Sequence, residues 1–96
     1  MSGKKAYAEK QQAEIDEIEA RLHQLQAQAR KVKASAKIEG YRWLDELQPK
    51  HDEARQKLEA LREAGETSWA DLKDGVQKAT DELRKAIDRA SQRLGP

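Results

Sequence analysis

Two histidines, no cysteine and a dense scatter of carboxylates are the groups with which this chain of 96 residues could perform chemistry. His23 falls outside the apolar seam, His51 falls in it but shares its face with no Glu or His at a convincing ligand spacing, and the sequence contains no zinc, phosphate-loop or nucleophile-elbow pattern. The carboxylates crowd at Glu14, Asp16, Glu17 and Glu19, where i to i+4 pairing along a solvated helix face accounts for them. A narrow helical seam offers no concave pocket for a substrate. The chain is therefore read as not an enzyme, with no catalytic residue, metal or cofactor.

A second set of residues could bind rather than react. Arg30, Lys31, Lys33 and Lys37 stand with little acid nearby and lead into Tyr41, Arg42 and Trp43. Such a group would release counterions from nucleic acid or gain roughly 1 kcal/mol per side chain at an anionic lipid surface. It equally fits a solvated face whose charges pair with the Glu14–Glu19 stretch of a neighbouring antiparallel chain, and this reading is preferred. His51 occupies a seam position, where a polar residue sets register. If buried, its protonation is expected to loosen the contact.

The elements that must carry these groups are helices. Charged residues make up 39% of the chain and aromatic ones 4%, with no Phe, and Ala, Glu, Lys, Gln and Arg dominate. That is the make-up of coiled coils and long solvated helices. The net charge of +1 gives no global field toward nucleic acid. No apolar run reaches membrane-spanning length, and Met1-Ser2-Gly3-Lys4-Lys5 leads into polar sequence, so a cytoplasmic protein is expected.

Residues 1–5 are expected to be a disordered lead. From residue 6 to 64 the chain reads as one long coiled-coil helix. Ile15, Ile18, Leu22, Leu25, Ala29, Val32 and Ala36 follow a 3-4 heptad spacing. Leu44, Leu47, His51, Ala54, Leu58 and Leu61 form a second seam one residue out of phase, with a skip near Gly40. Pro49 removes a hydrogen bond and crowds the preceding turn. A kink in a continuous helix is preferred there to a break that would give three helices. Residues 65–67 form a turn at Gly65, preferred to an uninterrupted rod. Residues 68–94 form a second, C-terminal helix. In it Trp69–Ala79 aligns with Thr80–Ala90, an 11-residue repeat that sets Leu72, Leu83 and Leu94 in one column and Val76 and Ile87 in another.

The expected fold is thus all-α: a helical hairpin with unequal arms of roughly 90 and 40 Å. Ile38, Trp43, Leu44, Leu47, Leu58 and Leu61 would meet Trp69, Leu72, Val76, Leu83 and Ile87 within the hairpin, with Trp69, Ile38 and Trp43 plugging its junction. Ile15, Ile18, Leu22, Leu25, Ala29 and Val32 would have no cover within their own chain. An uncovered amphipathic face stabilises a helix poorly, so a homodimer or higher oligomer is expected, with these residues as its interface.

The C-terminal arm also resembles a pattern in short bacterial coiled-coil proteins of uncharacterised function. The residues that carry it are Trp69, Leu72-Lys73, Gly75-Val76, Lys78-Ala79, Asp81-Glu82-Leu83 and Lys85-Ala86; Thr80 departs from it where an aromatic residue is common. The 11-residue period is similar to apolipoprotein-like and desiccation-protein repeats, a likeness that implies lipid-surface or membrane-protective binding. The leading functional expectation is a self-associating scaffold or adaptor that acts through helix faces, on itself and on another protein. The alternatives are an amphipathic binder of anionic membrane surfaces or a stress-protective protein, and, least favoured, weak nucleic-acid association through residues 30–37.

Overall fold

The computed structural model describes residues 3–31 and 34–94, and the side chains of all of these except 34–38 and 94. It contains three α-helices: α1 (Lys4–Lys31), α2 (Ala34–Glu63) and α3 (Trp69–Leu94). All three consist largely of strong helix formers, and none has a continuous apolar run. Each buries one stripe and must find partners for it.

The stripes meet in a single core. Ile15, Ile18, Leu22, Leu25 and Ala29 of α1 are at most 5% exposed. They join Leu44, Leu47, Ala54, Leu58 and Leu61 of α2 and Val76, Ala79, Leu83, Ile87 and Ala90 of α3. Contacts at the ends fix the topology. Lys4 reaches Arg62 and Ala64, and Glu19 reaches His51, so α1 and α2 are antiparallel. Tyr7 meets Lys73 and Arg21 meets Asp88, so α3 runs parallel to α1. The bundle is a rod of 53 × 17 × 16 Å.

Two expectations change here. The helix expected over 6–64 is two helices, and α1 packs against α2. A heptad seam records that a face is buried, not which helix covers it. At 28, 30 and 26 residues, the helices are each about 40–45 Å long, so the mismatch between arms that implied an uncovered seam disappears. Nor is the N-terminal lead disordered from residue 3 onward. Tyr7 N donates to Gly3 O at 3.0 Å. Lys4 Nζ donates to the carbonyls of Arg62 and Ala64 at 3.1 and 2.8 Å, supplying the end of α2 with donors and with charge of the sign its dipole favours.

Helix α2 continues through Pro49. Pro49 is exposed, so the Asp45 carbonyl that it leaves without a helical donor lies on the side open to water. Between α2 and α3 the chain turns over Ala64–Ser68, where Gly65 O accepts from Ser68 N and Trp69 N at 3.1 and 3.2 Å. Asp71 then lies in the first turn of α3, where negative charge is favourable.

The 11-residue repeat makes Leu72 and Leu83 equivalent, but the bundle does not. Leu83 is fully buried whereas Leu72 is 38% exposed, beside Lys57, Ala60 and Gly75. Leu83→Ala is expected to lower the unfolding free energy by about 2–5 kcal/mol, and Leu72→Ala to change it by less than about 0.5 kcal/mol; equal losses in urea titrations would contradict the packing. A Cβ at Gly75 would meet nothing within 4 Å. Gly75→Ala should therefore raise stability by about 0.5–1 kcal/mol through helix propensity alone, read as a higher denaturation midpoint.

Candidate anion-binding end of the bundle

The residues expected to bind between chains lie elsewhere than on a surface. Ile15, Ile18, Leu22, Leu25 and Ala29 are covered by α2 and α3 of their own chain; Val32 lies outside the described residues. In the closed bundle this stripe is closed to a second chain. Of the residues expected to pack the hairpin, Leu44, Leu47, Leu58, Leu61, Val76, Leu83 and Ile87 are buried, Trp43 and Trp69 are half-buried, and Leu72 faces outward. The side chain of Ile38 is outside the described set.

The two tryptophans do not share a junction. Trp69 opens α3 at the end where α1 begins, its ring 6.0 Å from that of Tyr7. Lys73 Nζ lies over both rings, at 5.1 and 5.3 Å from their centroids. The Tyr7 hydroxyl donates to Lys73 O at 3.1 Å. Burial, and after it the charges of Glu14, Asp74 and Asp81, hold that phenol's pKa above its ordinary value by disfavouring the phenolate. Trp43 lies some 18 residues of α2 away from Leu61, roughly 27 Å, and pairs instead with the end of α3. The Arg93 guanidinium stands 5.2 Å from its ring centroid. The antiparallel run of α2 and α3 makes this separation unavoidable.

At the Trp43 end, α1 finishes, α2 starts and α3 finishes. Arg30 and Lys31 are exposed in the last turn of α1 and Arg93 in that of α3, each placed well for the negative end of its helix dipole. Arg42 and Arg89 are exposed on the neighbouring turns. Lys33 lies outside the described residues, and of Lys37 only its helical backbone is described. From residue 28 to 42 the sequence carries five basic residues against Glu39, and residues 89–96 add two more without an acid. In a chain with net charge +1, the positive charge is therefore local. A shallow groove of 180 Å³ runs between α2 and α3 here, floored by Leu47, Ala86 and Ala90 and edged by Trp43, Glu46, Lys50, Arg89 and Arg93. Tyr41, 41% exposed, is the neighbouring large side chain open to solvent.

Glu14, Glu19 and His51 are engaged structurally. Glu14 Oε2 lies 3.4 Å from Arg84 Nη2, without hydrogen-bond geometry. Glu19 Oε1 accepts from His51 Nε2 at 2.7 Å, with Arg55 at 3.9 Å. His51 is 7% exposed, and its Nδ1 lacks a hydrogen bond 3.6 Å from Asp52 Oδ1. His23 is exposed on the outside of α1.

One polar layer was not anticipated. Gln11 and Thr80 are fully buried. Gln11 Nε2 donates to Gln77 Oε1 at 2.9 Å, and Gln77 Nε2 donates to Asp81 Oδ1 at 3.1 Å. The Thr80 hydroxyl sits 3.1 Å from Gln11 Oε1 and 2.9 Å from Val76 O; its single proton serves one of them at a time. The signal for Gln11 was present, since the α1 seam extends backward through Ala8 and Gln11 at the same 3-4 spacing. Thr80 gives less warning, as the neighbour of a seam alanine.

Among the described residues, no group of three or more His, Cys, Asp or Glu could hold a metal ion, and no helix is long and apolar enough to cross a membrane. Comparison of the chain with protein-family models, with curated proteins and with solved structures returned no match. The likeness of α3 to repeats of other helical proteins thus rests on its residue pattern.

The polar layer makes its own prediction. Thr80→Ala leaves buried Gln11 Oε1 without its donor and should cost about 1–3 kcal/mol. Adding Gln11→Leu to Thr80→Val should cost less than the sum of the two single changes. Strict additivity in chemical denaturation would show that the two side chains are not coupled.

Proposed function

We propose that this chain is a non-catalytic binding module that docks onto an anionic membrane surface with the end of the bundle bearing Arg30, Lys31, Arg42, Arg89 and Arg93. The carrying observation is the gathering of exposed cations and two aromatic side chains, Tyr41 and Trp43, at one tip of a rod whose other residues carry more acid than base. The bundle is about 17 × 16 Å in cross-section, wider than the Debye length of about 10 Å at 0.1 M salt, so neighbouring cations act together on an opposing surface while those on opposite sides of the tip are screened from one another. Lysine and arginine there gain roughly 1 kcal/mol each near acidic lipid, and tyrosine and tryptophan favour the headgroup level. A narrow tip suits end-on contact with a plane better than tracking along a nucleic-acid backbone. The apolar stripes stay folded inward in this mode, and the membrane is touched, not crossed.

Sedimentation with phosphatidylcholine vesicles, with and without phosphatidylserine, tests the reading. Binding is expected only to the acidic vesicles, weakening as salt rises, and Arg89→Glu/Arg93→Glu should lower partitioning roughly tenfold or more. No binding to acidic vesicles at low salt would overturn the proposal. So would a salt-sensitive gel shift with DNA or RNA stronger than any vesicle binding, which would assign the same cations to nucleic acid.

A further inference from the structure

The three helices are not held together in the same way. Among the described residues, the hydrogen bonds and ion pairs that cross between helices all involve α1: Lys4 to Arg62 and Ala64, Tyr7 to Lys73, Gln11 to Gln77 and Thr80, Glu14 to Arg84, Glu19 to His51 and Arg55, and Arg21 to Asp88. Helices α2 and α3 meet through apolar side chains and the Trp43–Arg93 stack. Helix α1 thus carries a complete docking set, an apolar stripe flanked by matched polar groups, directed at a hairpin whose own pairing does not need those groups.

The two connections also differ in sequence. The α2–α3 turn has Gly65 and its two accepting bonds. Between α1 and α2 the sequence runs Ala27-Gln-Ala-Arg-Lys-Val-Lys-Ala-Ser-Ala-Lys-Ile38. It contains no Gly and no Pro, and nearly every residue in it is a good helix former. The seam spacing also passes through it unbroken, at Leu25, Ala29, Val32 and Ala36. Local sequence therefore favours a single helix from residue 4 to 63, roughly 90 Å long. Only the packing of α1 on α2 and α3 opposes it.

We propose that a second copy of this chain is a partner for that same docking set, by exchange of α1. With α1 and α2 in one straight helix, the α1 of each copy lies on the α2–α3 hairpin of the other. Every contact of α1 named above is remade between chains and the α2–α3 contacts stay within each chain, so the closed monomer and the exchanged dimer bury the same residues. Connections whose local preference conflicts with a reversal are where such exchange arises. The exchanged form makes the long helix that the heptads describe and still leaves the Ile15–Ala29 stripe covered.

The absence of cysteine from the chain permits a direct test. Arg21→Cys/Asp88→Cys places one thiol on α1 and one on α3 at a pair that touches on the surface. The protein is warmed to its unfolding midpoint at high concentration, cooled, separated by size, and each fraction is joined with a short bismaleimide. The expected result is a dimer fraction whose cross-links connect two chains on a denaturing gel, and a monomer fraction cross-linked within one chain. Absence of any dimer, or a dimer cross-linked only within its chains, would overturn the proposal. Lys33→Pro, which removes a hydrogen bond from the continuous helix and kinks or breaks it in both copies, should lower the dimer yield at least tenfold while the monomer keeps its thermal transition; an unchanged yield would overturn it equally.

Discussion

Enclosure of the α1 stripe from Ile15 to Ala29 by both other helices is the constraint on which the remaining features depend. With 36% of its residues hydrophobic and no Phe, the chain lacks the apolar material for a thick core. It can exclude water only along a thin axis where three stripes converge. That requirement favours three helices of near-equal length. It also frees nearly every other position for charge, so the exterior is laced with pairs such as Lys57–Glu53 and Arg62–Glu59, which contribute little individually.

A thin core of Leu, Ile, Val and Ala does not strongly distinguish one helix register from another. The buried polar groups supply that distinction. Gln11 finds Thr80 and Gln77 in one register of α1 against α3, and His51 finds Glu19 in one register of α1 against α2. A shift by one turn would bury these groups without partners, which is far more costly than losing a few methyl contacts. The polar layer therefore selects the arrangement that the apolar stripes merely permit.

Much of this was legible along the chain. The phase of Leu44, Leu47, His51, Ala54, Leu58 and Leu61 is the buried stripe of α2, and Gly65 lies in the turn. The reversal after Lys31 was not legible, because no Gly, Pro or strong cap marks it, and a 3-4 pattern reads identically in one helix or in two. Leu72 shows the limit of a repeat. Its column matches Leu83, yet the helix opposite offers only Lys57 and Ala60 at that level, too little to cover a leucine. The basic tip was legible only in part. Arg30, Lys31, Lys33 and Lys37 stand together in the sequence, whereas Arg89 and Arg93 share an end of the bundle with Arg30 and Lys31 only once α3 runs back alongside.

The placement of Trp43 and Trp69 has a spectroscopic consequence. One ring lies at each end of the rod, each beside a cation, Arg93 in one case and Lys73 in the other. Emission from a variant keeping only Trp69 reports whether the start of α1 remains seated, while one keeping only Trp43 reports on the opposite tip. The molecule thus carries two intrinsic chromophores that separate fraying at one terminus from events at the other, with no attached dye.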